Sequence, residues 1–263
     1  MRRFSILLAA LWCSLGVPLA AAPLSLAENI RAIWSDKSGV DGGFTFIVVG
    51  DNRSGDAVYR EILEQALSYK PLFILNTGDL VNHGDSSEFD AYAKLIETLS
   101  VPIVHVPGNH DRERGLANWK RRVGEPNWYF EYGSCRFIGL DNSTGEFSRE
   151  ALAFAHKYIN NEKTCFVAFH KPPAVGRWKV HSMDGGKDQD QVMSLIRAAA
   201  CPMVFLGHIH LYDSMEIDGT DFIISAGGGA GLYSKYKFGK PEHGFVVVRV
   251  SKEGITHEWI RVK

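Results

Sequence analysis

The sequence predicts an α/β fold in which largely parallel strands are covered by helices, and three observations carry that expectation. From residue 44 onward, short apolar runs alternate with amphipathic segments. Alternation of that kind builds parallel sheets, because a parallel strand pair needs a crossover that a helix supplies. A polar block follows the C-terminal end of five of the apolar runs. After residue 200 the helical pattern fades, which predicts a second sheet finished by antiparallel strands.

In chain order, 44–49 is a mostly apolar run that reads as a buried strand. Val58, Ile62, Ala66 and Leu67 then share one helical face. Residues 72–75 form the next strand-like run, directly after Pro71, and Phe89, Tyr92, Ile96 and Leu99 recur at helical spacing. A third strand is expected at 101–106, and two more at 127–132 and 136–140. Leu152, Ala155 and Ile159 mark a helix, 164–169 a strand, and Val192, Leu195, Ile196 and Ala199 another helix. The tail carries strand-like runs at 203–206, 222–225, 245–250 and 255–260. Stretches 112–126, 173–188 and 227–243 read as loops, and long loops in a compact domain are usually functional or disordered. No internal repeat or low-complexity linker divides the chain, so 28–263 is expected to be a single domain.

The first residues have a different character. Arg2 and Arg3 precede an apolar run over 4–19, and small residues occupy 20–22. This is the pattern of a secretory signal, assigned to 1–27 with cleavage after Ala22 or Ala27, and it predicts an exported protein, periplasmic or secreted. The rival reading, an uncleaved anchor helix, needs a longer apolar run. No interior run reaches membrane-spanning length, so no stable span is expected after signal removal. Removing the signal would take away Cys13 and leave Cys135, Cys165 and Cys201, free or with one disulfide among three possible pairings. They are too scattered for a thiolate metal site.

The 263 residues are 45% hydrophobic with a formal charge of -1. No global basic field marks nucleic acid as the ligand, so any attraction for an anion must be local.

The five polar blocks carry the chemistry. They are Gly50-Asp51-Asn52-Arg53, Asn76-Thr77-Gly78-Asp79, Pro107-Gly108-Asn109-His110-Asp111, His170-Lys171-Pro172-Pro173 and Gly207-His208-Ile209-His210. In a parallel sheet the C-terminal strand ends share one edge, where ligands bind. Any one block alone is more often a turn or a solvated histidine. Five in succession would aim carboxylates, an amide and imidazoles at one spot, a donor set suited to Zn, Fe, Mn or related ions. Two such ions can clamp the attacking and leaving oxygens of a phosphoryl displacement.

These ordered blocks resemble those of the calcineurin-like metallophosphoesterases, which include the purple acid phosphatases, over about 44–250. The resemblance implies a four-layer α/β/β/α sandwich, two mixed sheets flanked by helices. It implies hydrolysis of a phosphomonoester or phosphodiester by metal-activated hydroxide at two divalent or trivalent ions. Carried over by position, Asp51, Asp79 and His210 would hold one metal, and Asp79, Asn109, His170 and His208 the other, with Asp79 bridging. His110 would be the proton donor or oxyanion stabiliser beside the leaving group, a role suited to an imidazole because it titrates near neutrality.

One position departs from the family pattern. The first block usually reads Asp-x-His, with the histidine a ligand; here Arg53 stands there, and a guanidinium cannot ligate. The tyrosine that serves the same metal in purple acid phosphatases, three residues after the bridging aspartate, is here Asn82. Arg53 is therefore assigned to a phosphate oxygen of the substrate, the rival being a pairing with Asp51 or Asp79. Arg177, Trp178, Lys179 and His181 on one loop, and Tyr233, Lys235, Tyr236 and Lys237 on another, are expected to overhang the metals and draw in a small anionic substrate. The Gly227–Gly231 stretch does not match a dinucleotide fingerprint and reads as a close-packed loop. Two alternatives stand beside hydrolysis: a metal-site-degenerate binding protein of the same fold, and a nuclease, which the charge balance disfavours.

Overall fold

A computed structural model describes residues 24–40 and 42–262. The expected signal segment up to residue 23 lies outside the described residues. Among those described, no helix is long and apolar enough to cross a membrane.

The elements run α1 (Leu26–Ser35), β1 (Phe44–Val49), α2 (Asp56–Leu67), β2 (Phe73–Asn76), α3 (Ser86–Ile96), β3 (Ile103–His105), α4 (Leu116–Arg122), β4 (Trp128–Tyr132) and β5 (Cys135–Gly139). They continue with α5 (Arg149–Tyr158), β6 (Thr164–Ala168), α6 (Lys187–Ala198), β7 (Met203–Leu206), β8 (Tyr212–Ile217), β9 (Thr220–Ser225), β10 (Gly244–Ser251) and β11 (Gly254–Arg261). One sheet has the order β11-β10-β1-β2-β3, the other β4-β5-β6-β7-β9-β8. Both are mixed: β1, β2 and β3 are parallel, as are β5, β6, β7 and β9, with antiparallel strands at the edges.

The two sheets face each other across an aromatic layer. Phe46 and Phe73 stack with centroids 5.1 Å apart, Phe137 meets Phe73 edge-on at 5.0 Å, and Phe137 stacks on Phe166 at 5.0 Å. Each buried phenylalanine contributes about 1.5–3 kcal/mol by leaving water. Along β5 and β6 the alternate residues Ile138 and Val167 point the other way, where Ala151 and Ala155 of α5 and Val192 and Ile196 of α6 complete a second core. Strands buried on both faces must be apolar at every position, which is why these runs read as continuous. Helices α2 and α3 add Ile62 and Phe89 to the first core, and α1 runs along the edge strands β3 and β4, burying Ile33. The result is the expected α/β/β/α sandwich.

Five local expectations are corrected. The stretch 112–126 is not a plain loop: it holds a 3-10 turn at His110–Arg112 and helix α4, whose Trp119 is fully buried. A 3-10 turn, Gly176–Lys179, interrupts 173–188. Strand β8 went unpredicted because it is a half-polar edge strand. The last two strands do not finish the second sheet; β10 lies antiparallel to β1 in the first, pairing Val48 with Val246. Helix α1 was also missed, although Leu26, Ile30 and Ile33 are buried on one face and Asn29 Oδ1 accepts the N–H of Ile103 at 2.9 Å.

The three described cysteines are free. Cys165 and Cys201 lie in the second core, where the Cys165 thiol donates to Asn160 O at 3.2 Å, whereas Cys135 faces the first.

Candidate metal centre

The five blocks converge where the two sheets present their C-terminal strand ends. The turn after β1 is tied to the turn after β2 by the N–H of Asp51 donating to Gly78 O at 2.9 Å and that of Arg53 donating to Asp79 O at 3.2 Å. Loop 227–243 joins them, with the N–H of Ala230 on Asp51 O at 2.9 Å and that of Tyr233 on His210 O at 2.9 Å.

Three of the assigned ligands have left-handed backbone: Asp51 (φ 58°), Asp79 (φ 56°) and His208 (φ 70°). Such a conformation in a non-glycine residue costs on the order of 1–3 kcal/mol and persists only where its surroundings fix it. The preceding glycines make room. A Cβ on Gly207 would stand 2.6 Å from Asp51 Oδ2 and 3.0 Å from His170 Nδ1, and one on Gly108 would overlap the Asp79 carboxylate.

Asp51 and Asp79 are buried, at 0% and 1% exposure. Asp51, Asp79 and His170 offer ligand atoms within 4.8 Å of one another. His170 Nε2 lies 3.5 Å from Asp79 Oδ1 and 3.2 Å from Asn109 Oδ1. On the other side, His210 Nε2 lies 3.4 Å from Asp51 Oδ1. His208 approaches through its ring, 5.1 Å from that of His170 between centroids, while its backbone N–H donates to Asp51 at 3.0 Å. Asp51, Asp79 and His170 thus cluster, with Asn109 beside His170, His210 beside Asp51 and the His208 ring next to that of His170.

The donor set fits divalent ions. His170 Nδ1 donates to Thr77 O at 2.8 Å and His210 Nδ1 to Gly231 O at 2.7 Å, which leaves each Nε2 lone pair aimed at the carboxylates. That outer hydrogen bond, fixing the tautomer, is typical of metal-binding histidine. Burial and the nearby His170, His181 and Lys171 hold the His208 pKa far below the ordinary histidine value, which favours its neutral, ligating form. For His210 burial pulls the pKa down, but the neighbouring Asp51 carboxylate outweighs that and raises it. Two buried carboxylates this close require compensating positive charge.

His110 lies beside the centre without joining the donor set. Its backbone N–H donates to Asp79 Oδ1 at 3.0 Å, and its Nδ1 is 2.8 Å from both Asn82 O and Glu113 Oε1. Glu113, which was not assigned, thereby orients the ring; its other oxygen is 2.8 Å from His83 Nδ1. Two further residues escaped assignment because their work is done through backbone groups. Asp111 is fully buried and accepts four backbone N–H groups, from Asp79, Leu80, Val81 and Gly108. Asn142 Oδ1 accepts the N–H groups of His170 and Lys171 at 2.9 and 3.0 Å, fixing the turn that carries His170.

Arg53 does pair with a carboxylate here: its Nε is 3.5 Å from Asp79 Oδ2, in ion-pair range but without hydrogen-bond geometry. Asn82, at the position of the purple acid phosphatase tyrosine, has its Oδ1 taken by Ser54 Oγ at 2.6 Å.

The loop expectations hold only in part. Trp178 is fully buried, its Nε1 donating to Asp213 Oδ2 at 2.7 Å, and Arg177 clamps the same carboxylate at 2.7 and 2.9 Å. Both residues anchor the loop instead of overhanging the centre. His181 does reach it, stacked on His208 at 4.4 Å and 6°. Tyr233 stacks on His210 at 4.4 Å, and Lys235 sits over Tyr233 and Tyr236 at 5.5 and 5.3 Å. Lys179 and Lys237 are exposed. The Gly227–Gly231 stretch is close-packed, with Gly228 N–H on Gly50 O at 2.9 Å.

Comparison with known proteins places this geometry. A probable glycerophosphodiester phosphodiesterase of Arcobacter nitrofigilis is 29% identical over 182 residues, 59% of this chain and 62% of that protein. The 3',5'-cyclic adenosine monophosphate phosphodiesterase of Escherichia coli K12 is 25% identical over 168 residues, 58% of this chain and 60% of that protein. The match thus spans about six tenths of the length of these relatives. In fold, the chain resembles a purple acid phosphatase from yellow lupin seeds, with a TM-score of 0.65 at 14% identity over 84% of this chain and 52% of that one. It also resembles a dimetal phosphatase from Danio rerio, with a TM-score of 0.55 at 14% identity over 83% and 96%. A sequence profile of the calcineurin-like phosphoesterases matches residues 44–212, more than half of the chain, and the chain belongs to that family.

Proposed function

We propose that this chain hydrolyses small phosphate esters, mono- or diesters, using two metal ions of the Fe, Mn or Zn type. The observation that carries the reading is the Asp79 carboxylate. Its Oδ1 lies 3.5 Å from His170 Nε2, and Asp51, Asp79 and His170 offer ligand atoms within 4.8 Å of one another, so one buried group stands within reach of residues from both halves of the donor set.

Asp51, Asp79 and His210 would hold one ion, and Asp79, Asn109, His170 and His208 the other. When bound, the ions lower the pKa of a shared water and offset charge on the phosphoryl oxygens. His110 gives a proton to the leaving alcohol. Its Nδ1–H is held by Asn82 O and Glu113, which leaves Nε2 as the exchanging atom. Arg53, partly exposed and with its terminal nitrogens unengaged among the described residues, leaves Asp79 to bind a phosphate oxygen as substrate enters. His181, Tyr233, Tyr236 and Lys235 form one wall, which suits a small anion carrying a modest organic group. The activities named for the relatives favour diesters as the first substrates to try.

Export is part of the same proposal. Leu24 and Leu26 are buried, and the Leu26 N–H donates to Val123 O at 2.8 Å, which supports cleavage after Ala22 over cleavage after Ala27. The single domain then begins with α1.

The test is metal-dependent turnover. The purified chain, stripped of metal and reloaded with Mn2+, Zn2+ or Fe, is assayed against aryl phosphate mono- and diesters. Folded, metal-loaded protein that cleaves neither would overturn hydrolysis. It would favour the binding-protein alternative, which the Arg53–Asp79 pairing gives some ground.

A further inference from the structure

We infer that Arg53 makes the two halves of the centre unequal, so that the Asn109–His170–His208 half binds metal at least about tenfold more tightly than the Asp51–His210 half. The inference rests on the two-ion reading above.

Asp79 must serve both halves, and its two oxygens are differently committed. Oδ1 accepts the His110 N–H at 3.0 Å and lies 3.5 Å from His170 Nε2. Oδ2 has the Arg53 guanidinium 3.5 Å away. The loop geometry puts it there: Asp51 and Ser54 both take left-handed backbone (φ 58° and 61°), and the Arg53 N–H is fixed on Asp79 O. Arg53 therefore lies against Asp79 through both its backbone and its side chain.

A guanidinium is always charged and has no lone pair to give. Beside Oδ2 it has two effects on an incoming dication. It offsets part of the carboxylate charge that would attract the ion, and it repels the ion directly across a short, poorly solvated distance. Both act on the half that already has fewer donors, Asp51 and His210 besides the shared Asp79. The other half brings Asn109, His170 and His208 to the shared carboxylate and faces no arginine among the described residues. Arg53 is a positioning residue in this sense: it sets the affinity of a site it does not ligate.

The measurement is calorimetric titration of metal-free, full-length protein with Mn2+, supported by elemental analysis after gel filtration. Wild type should bind two ions in steps separated by at least about tenfold and retain about one through the column. Arg53→Ala should tighten the weaker step by about tenfold, and Arg53→His should tighten it further, retaining two ions. Arg53→Lys keeps the charge and should keep the gap, and Asp51→Asn should abolish only the weaker step. Circular dichroism establishes that each variant is folded. Two equal steps in wild type, or an unchanged weaker step in folded Arg53→Ala, overturns the inference and leaves hydrolysis standing. Folded wild type that binds no ion overturns the two-ion reading itself.

Discussion

The Asp111 carboxylate accepts the backbone N–H of Asp79 at 2.9 Å, so a residue outside the candidate donor set fixes the turn that carries Asp79. The same side chain takes the N–H groups of Leu80 and Val81 through its other oxygen, and that of Gly108 beside Asp79. It is therefore the pin between the turns after β2 and β3. Burial and the charge of Asp79 push its pKa up, and the amide donors pull it the other way.

Asp111→Ala is expected to leave four buried amides without an acceptor. At about 1–3 kcal/mol each, the loss is comparable with the whole stability of a domain, about 5–15 kcal/mol. The variant should be insoluble or melt far below wild type. Asp111→Asn, which retains one oxygen, should fall between the two. A melting curve of Asp111→Ala that overlays wild type would remove the pin from this account.

Asp79→Ala should lose both ions and fall to background turnover, since the proposed two-ion site assigns Asp79 to both ions. Elemental analysis and an ester assay on the same preparation check this. Full metal content with full activity would mean that the ions are held elsewhere.

His110→Ala should retain metal while kcat falls by roughly two to four orders of magnitude, the usual range for a lost general acid. The deficit should shrink as the leaving group improves, because a good leaving group needs less protonation. Glu113→Gln should cost less than about tenfold in kcat, since Asn82 O still holds His110 Nδ1. The same change has a spectroscopic signature. The hydrogen bond to Glu113 raises the pKa of His83, so Glu113→Gln should bring its NMR titration midpoint down. The sign follows: the His83–Glu113 interaction favours the folded state below the ordinary histidine range and fades as pH rises through the raised value. A leaving-group series with a constant deficit would assign His110 to substrate positioning.

Asp213→Ala should loosen the loop that carries His181. The buried Trp178 indole N–H loses its acceptor, at about 1–3 kcal/mol; Arg177 is more exposed, so its share is small. With the His181–His208 stack no longer enforced, KM should rise more than kcat falls. Melting temperature and steady-state kinetics together test this, and an unchanged KM would detach the anchor from the site.

The centre was far more legible in the sequence than the frame around it, and the reason is physical. Asp51, Asp79, Asn109, His170, His208 and His210 each follow an apolar strand, so local pattern places them at C-terminal strand ends, three on each sheet. Asp111 and Asn142 act on backbone amides of other loops, and nothing in their neighbours announces that. Trp178 and Arg177 looked like a cleft wall because an aromatic next to cations in a loop carries no sign of whether it faces solvent. Asp213, the partner that turns them inward, is 35 residues from Trp178. Strand β8 mixes Tyr212, Met215 and Ile217 with Asp213, Ser214 and Glu216, and only Asp213 is buried, so its apolar signal was weak. Helix α1 carried a clear i, i+4, i+7 spacing at Leu26, Ile30 and Ile33, hidden by its closeness to the expected cleavage zone. That β10 joins β1 is a long-range choice that no local window contains.

That pairing also governs when the protein can come into being. β1 supplies Asp51 and lies between β2, made soon after it, and β10, made near the end of synthesis. A chain still emerging from the ribosome has β1 paired on one side only, and its turn lacks the support of Gly228 and Ala230 from the late loop. Contacts so distant in sequence form slowly, because the chain between them must be closed before they repay its entropy. Until the last hairpin docks, the Asp51 turn is held from the β2 side alone, through Gly78 O, and the chain can gather only part of the candidate donor set.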